Sequence, residues 1–409
     1  MKVKKVCFLV GSVALSGGTY VIFQHAGYLH EQGYDVTLAV QEPFDASTFT
    51  WHDQAGKLRI IPFLQAQNES FDLVIATWWR TSLDLPAFKA DRYAYFVQSI
   101  ESRFYSERER SLRALVDATY DLPVFFITEA GWIVDYLEKV HNQNAILVRN
   151  GIRKDIYLQD GNAIEPKSDG ALRVLVEGPF NVPFKNTAFA IKLARKAGVR
   201  EIWVMTGSPV HWLPGVKRVF SRVPIHKTPE IYRSCDVLLK LSTVEGMFGP
   251  PLEMFHCGGT ALVFDVTGHE EYIQAGENAL VVTGGKSVVS QLRMLLSDKD
   301  RLTSLKTKAM ETADAWPDWN ESSEKFRQWV EYVLQSHTTD QKAVRDVIQT
   351  AWTHYTSDKN RHIKDIFWIL LGYKLEKPIK KLIKRSPSRL LDEIQQLRAL
   401  LEVLLHLII

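Results

Sequence analysis

At 409 residues the chain exceeds what one ordinary hydrophobic core accommodates, so two domains and an appendage are expected. Its hydrophobic fraction of 46% excludes a disordered chain, and no run reaches the roughly 18 apolar residues that a membrane-spanning helix needs. The formal net charge is +3, yet residues 336–409 hold 13 basic against 8 acidic side chains, which leaves the body slightly acidic and excludes a nucleic-acid binder on charge grounds.

Cys7, Cys235 and Cys257 show neither a disulfide framework nor zinc spacing, which points to a reducing, cytoplasmic setting. Lys2, Lys4 and Lys5 ahead of Val6–Val10 imitate a secretory signal, but Gly17-Gly18 and a helical pattern from Thr19 make this a first strand and loop. Tyr20–Gln32 then reads as a helix stopped by Gly33, and Asp35–Val40 as a second strand. Further strands are expected at Leu58–Pro62, Leu73–Ala76, Tyr93–Val97, Val124–Ile127 and Ala145–Val148, with helices at Glu107–Ala118 and Ala130–Val140. After the polar link Asp160–Gly170 a second series follows, with strands at Leu172–Glu177, Glu201–Thr206, Val237–Leu241, Ala261–Val266 and Ala279–Val282. Such alternation predicts α/β domains with doubly wound, Rossmann-like parallel sheets. The expected divisions are a first Rossmann-like domain over 1–150, a second over 151–335 and a basic amphipathic tail over 336–409.

The stretch Ser242–Gly259 reads as strand end, glycine loop and short helix, with Gly246 and Gly249 in the loop, Pro250 or Pro251 at the first helical position and Gly258 as the stop. Such a helix aims free N–H groups and its positive dipole end at the loop, which suits a diphosphate. Glu245 at the strand end and Glu253, expected in the first helical turn, would place two hydrogen-bond-accepting carboxylates beside it, which suits sugar hydroxyls.

Glu245, seven residues, then Glu253, with Gly246-Met247-Phe248-Gly249 between them and Cys257-Gly258-Gly259 after, resembles the signature of retaining GT-B glycosyltransferases, often called glycosyltransferase group 1. The resemblance covers about residues 1–335 and is densest after Asn150. It implies two Rossmann-like domains facing a central crevice, the first on the acceptor side and the second binding the nucleotide-sugar, and sugar transfer from a nucleoside-diphosphate-sugar, dTDP- or UDP-linked, to a glycan or lipid-linked glycan. It also implies that Glu253 holds the ribose and Glu245 orients the donor sugar. Asn150-Gly151-Ile152 matches the element that opens the second domain in relatives. Glu177-Gly178-Pro179 with Phe184-Lys185-Asn186 matches the diphosphate-binding Gly-Arg and Lys, except that Pro179 stands where relatives carry Arg. Lys185 would carry that charge alone or with Arg80, Arg149 or Arg153. Glu271, with Gly276 and Asn278, resembles the closing edge of the donor pocket.

In the first half, Gly17-Gly18 resembles the loop facing donor and acceptor, and Gln98, Ser99 and Glu101 occupy the place of a family His or Asp. Trp78-Trp79-Arg80 offers rings for sugar stacking, with packing as the plainer reading. Tyr93–Glu101 and the Pro179/Lys185 arrangement look similar to bacterial surface-glycan rhamnosyltransferases. No metal spacing occurs among the histidines and no Asp-x-Asp pair presents itself as a divalent-cation clamp, so a metal-independent reaction without a cofactor is expected. A nucleotide-sugar epimerase and a non-catalytic GT-B scaffold subunit are the alternatives, the latter favoured by Pro179.

The tail gathers Lys374, Lys377, Lys380, Lys381, Lys384 and Arg385 around Leu375, Ile379, Leu382 and Ile383 at helical spacing, followed by a seam at Leu390, Ile394, Leu397, Leu401, Leu404 and Ile408. Peripheral contact with an anionic membrane surface at its inner face, or self-association through 374–409, is the expectation.

Overall fold

The computed structural model describes residues 3–167 and 171–357. The expectations for the tail at 374–409 therefore lie outside the described residues. These residues fall into two compact units that divide at 151/152 and at 318/319.

In the first unit the strands are β1 (Lys5–Val10), β2 (Asp35–Val40), β3 (Arg59–Pro62), β4 (Ser70–Ala76), β5 (Lys89–Val97), β6 (Phe125–Thr128) and β7 (Ala145–Leu147). They form one parallel sheet in the order β3-β2-β1-β4-β5-β6-β7. From its second residue to its last, β1 is buried throughout, because helices cover both faces of a parallel sheet and an unbroken apolar run satisfies both.

The second unit contributes β8 (Arg173–Glu177), β9 (Glu201–Thr206), β10 (Arg218–Ser221), β11 (Val237–Lys240), β12 (Thr260–Phe264) and β13 (Leu280–Val282), in the parallel order β10-β9-β8-β11-β12-β13. Each strand expected from the sequence is present, with ends shifted by a few residues. Strand β10 was not expected, since Arg218-Val219-Phe220-Ser221 is a short, half-exposed edge strand with no sustained apolar run.

Both sheets reverse their winding direction once, at β1/β4 and at β8/β11. At such a switch point the connections depart to opposite sides and leave room for a ligand beyond the carboxyl ends of the two strands.

The expected boundary at 335 is corrected. Helix Trp319–Gln335 belongs to the first unit, where Trp319, Phe326, Trp329, Val330 and Val333 join the core that also holds Phe8, Phe23 and Phe96. Its apolar stripe had to be buried somewhere, and sequence order does not say which of two cores receives it. Helix Gln341–Ser357, expected within a separate tail, also packs on the first unit, its Ala351 and Tyr355 lying against Leu112, Leu115 and Val116. Among the described residues no helix is long and apolar enough to cross a membrane.

Candidate functional site

The switch point of the second sheet carries a line of alternating charges. Glu177 ends β8 and Lys240 ends β11, and the two side chains are hydrogen-bonded to each other. Lys240 also lies 3.8 Å from Glu245. Glu245 in turn accepts from Lys185, whose Nζ is 2.8 Å from each carboxylate oxygen.

Backbone contacts bring Lys185 there. Gly178, at φ +148°, turns the chain where a Cβ would approach the Thr187 hydroxyl to 2.7 Å. The short helical turn Pro183–Lys185 is then tied to the end of β11 by Thr243 N–H donating to Phe184 O at 2.8 Å and by Asn186 Nδ2 donating to Leu241 O at 2.9 Å. Lys185 and Glu245, 60 residues apart in sequence, thereby share one site.

Burial opposes the charge on Glu245, yet Lys185 and Lys240 outweigh it and hold the carboxyl below its ordinary range. Lys240 is likewise disfavoured by burial, but Glu177 and Glu245 keep it protonated.

Glu253 behaves differently. Burial is the main cause that pushes it up to about 7, with the neighbouring Glu177 adding to the rise and the Tyr232 hydroxyl, which donates to it at 2.9 Å, opposing it. Tyr157, whose hydroxyl lies 2.9 Å from Thr228 Oγ1, packs its ring at 5.9 Å from that of Tyr232.

Helix Gly249–His256 differs from expectation in three respects. It begins at Gly249, with Pro250 and Pro251 second and third, so Glu253 is fifth and lies beyond the first turn. Gly246 and Gly249 do not adopt positive φ; Gly258, at φ +75°, does, and closes the helix as expected. Phe248 is fully buried, so its ring is core and not a donor contact; its carbonyl accepts from the Tyr272 hydroxyl. Met247 packs half-buried against the same core, Gly246 stays half-buried in the loop, and Gly249, expected in the loop, is the half-buried first residue of the helix.

Glu271 sits half-buried in the turn His269–Glu271 of the same unit, next to Tyr272. Asn150 belongs to the first unit, where its amide donates to Glu129 at 2.8 Å. Arg153 is committed to Asp155 at 2.7 Å.

At the first unit's switch point, Gly18 lies against Gln98: a Cβ there would approach Gln98 Oε1 to 2.8 Å, while the exposed Gly17 has open space. Gly18 and Gln98 therefore meet, while Gly17 and Gly18, expected in the strand-to-helix loop, are instead the first two residues of helix Gly17–Glu31. Arg80 stacks over Trp78 at 4.9 Å and Trp79 at 5.2 Å, and Trp79 is buried with its indole donating to Tyr105, so its ring is packing rather than a sugar platform. Glu101 is a correction. It is buried, accepts from Trp79 N–H at 2.7 Å and from the Tyr95 hydroxyl at 3.0 Å, and burial pushes it up to about 8 despite both donors. A carboxyl enclosed in this way braces the loop and does not face an acceptor.

Sequence reasoning missed Lys240 and the partner role of Glu177. A signal was present: Lys240 interrupts an otherwise apolar strand, and a lysine buried in such a strand requires a counter-ion. Among the described residues no group of three or more His, Cys, Asp or Glu is arranged to hold a metal ion.

Residues 215–312 match the family described as Glycosyl transferases group 1. The chain is 27% identical over 253 residues to the O-antigen biosynthesis protein RfbC of Myxococcus xanthus, an alignment covering 59% of this chain and 19% of that protein. The chain thus spans only a small part of that relative's length. Its fold is similar to that of sucrose-phosphate synthase from Thermosynechococcus elongatus, with TM-score 0.61, 15% identity and coverage of 80% of this chain and 99% of that one. Anabaena HepE, solved with UDP and glucose, gives TM-score 0.61 and 13% identity over 80% of this chain and 100% of that one. WaaG, a glycosyltransferase involved in lipopolysaccharide biosynthesis, gives 0.59 and 14% over 81% and 100%. At these identities the likeness establishes the fold, which is GT-B.

Proposed function

We propose that this protein, a GT-B fold carrying a group 1 glycosyltransferase domain, moves a sugar from a nucleoside-diphosphate-sugar to a hydroxyl of a glycan or lipid-linked glycan. The observation that carries this reading is the pairing of Lys185 with Glu245 at a sheet switch point that also holds Glu253. A cation beside two carboxylates at a strand-end crevice matches a diphosphate beside polyol hydroxyls. The UDP and glucose bound to HepE, and the O-antigen and lipopolysaccharide roles in the names of RfbC and WaaG, support a nucleotide-sugar donor and surface-polysaccharide assembly.

In this reading Lys185 stabilises the charge that grows on the leaving diphosphate, with fixed loop amides near Gly246–Gly249 assisting. Glu253 accepts from the ribose and Glu245 from the donor sugar. The departing phosphate takes the acceptor's proton on the same face, so configuration is retained, and protein cations take the place of a metal.

The test is a thermal-shift screen of UDP- and dTDP-linked sugars, rhamnose included, followed by product analysis with glycan acceptors. A transferred sugar with the donor's anomeric configuration is expected. An epimerised nucleotide-sugar without transfer would replace the reading with an epimerase. Absence of stabilisation by any nucleotide would favour a non-catalytic subunit, the reading to which Pro179 in place of Arg lends itself.

A further inference from the structure

The line Glu177, Lys240, Glu245, Lys185 contains one cation more than sugar transfer as described above employs. The two lysines differ in what can reach them. The Lys185 side chain is 20% exposed and rides on a short turn, whereas that of Lys240 is 3% exposed and fixed at the end of a central strand. An entering diphosphate therefore meets Lys185 and not Lys240. Yet Lys185 is already engaged by both oxygens of Glu245. A diphosphate, with more negative charge than a carboxylate, draws the lysine away, and Glu245, whose side chain is 9% exposed, is left in a poorly solvated place. A buried carboxylate that loses its nearest cation is drawn toward taking up a proton, which would remove acceptor capacity toward the sugar hydroxyls.

We propose that Lys240 is a positioning residue that keeps Glu245 a carboxylate when Lys185 turns to the donor diphosphate. It stands 3.8 Å from Glu245, close enough to serve as the remaining counter-ion. Glu177 on its other side balances its charge, which lets a lysine stay inside a sheet. Other titratable groups acting on this line are Glu253, from helix Gly249–His256, the Tyr272 hydroxyl, from the turn after β12, and the Tyr232 hydroxyl, from helix Thr228–Ser234, which acts on Glu177. Glu253, tending to the neutral form, does not compete strongly for Lys240. The proposal rests on the nucleotide-sugar reading for its purpose, but its test does not use a nucleotide.

The full-length protein is labelled with carboxyl-13C glutamate, and the Glu245 signal is assigned by its loss in Glu245→Gln. Lys185→Ala imitates the departure of Lys185. In that variant Glu245 is expected to titrate at or below the ordinary carboxylate range. In Lys185→Ala/Lys240→Met it is expected to titrate about one pH unit or more higher. Equal titration in the two variants overturns the proposal. Should the double variant fail to fold, Lys185→Ala/Glu177→Gln decides: Lys240, released from Glu177, should lower the Glu245 titration relative to Lys185→Ala, and an unmoved titration overturns the proposal. A lysine that merely stabilised the sheet would lower the melting temperature and leave these titrations unchanged. Failure of every nucleotide to bind in the thermal-shift screen would remove the donor reading while leaving this titration interpretable, so the two failures are separable.

Discussion

The imidazole of His25 lies flat on the Phe326 ring, with centroids 4.2 Å apart and planes at 12°, although 301 residues separate them in the chain. Its Nδ1 is 3.1 Å from the Ser323 hydroxyl, and Nε2 has no hydrogen-bond partner among the described residues. Helix Trp319–Gln335 is thereby fastened to helix Gly17–Glu31, assisted by the Trp319 indole donating to the Tyr20 hydroxyl at 2.9 Å. Burial pulls His25 down to about 3, so the folded protein holds it neutral.

Acid stability follows from that contact. The unfolded chain protonates His25 near pH 6.5 and the folded protein does not, so this stability is complete above about 6.5 and is lost as pH falls toward 3. At pH 5 the group costs about 2 kcal/mol. His25→Phe keeps the ring stack and removes the titration. Its melting temperature should decline less between pH 7 and pH 5 than that of the native protein, as calorimetry would show; parallel declines would refute the assignment.

Glu101 carries the opposite dependence. Its carboxyl is raised to about 8 from an ordinary 4.5, so its contribution is complete below about 4.5 and is lost as pH rises through 8. At pH 7 the cost is about 3 kcal/mol. Glu101→Gln can still accept from Trp79 N–H and the Tyr95 hydroxyl, so chemical denaturation should find this variant more stable relative to the native protein at pH 8 than at pH 5.

Glu253→Gln should weaken binding of a nucleotide-sugar that stabilises the native protein by about tenfold, the scale of one charge-assisted hydrogen bond, and leave the far-UV spectrum unchanged. Because Glu253 is raised to about 7, native affinity should also fall as pH drops below 7, a dependence the variant lacks. Calorimetric titration at pH 6 and pH 8 tests both; unchanged affinity would remove Glu253 from the ribose.

Lys185→Ala should lower turnover by about 100-fold or more, since a preorganised charge at a leaving group is worth roughly 3 kcal/mol. Near-native turnover in a steady-state assay would transfer the role to another cation.

Sugar transfer should survive excess chelator, because Lys185 and fixed amides supply the charge at the diphosphate. Loss of activity that magnesium or manganese restores would overturn this.

Sequence alone determined the sheets, apart from the edge strand β10, and the central stretch. Runs such as Val6–Val10 and Val237–Leu239 are too short for helices and apolar at successive positions, so a parallel sheet covered on both faces was the outcome available to them. The loop and helix between β11 and β12 were equally readable, because Gly258 and the two prolines act through local backbone geometry. What sequence could not decide was set by contacts between distant segments. That Glu101 is enclosed depends on Trp79 and Tyr95, and Phe248 is core because an entire cluster closes around its ring. Helix Trp319–Gln335 shows an apolar stripe whose owner only packing reveals. Lys240 was visible as an anomaly in an apolar strand, but its partners, Glu177 and Glu245, come from the neighbouring strand and a following loop. A buried charge is defined by what stands within a few ångströms of it, and that proximity exists only once the chain has folded.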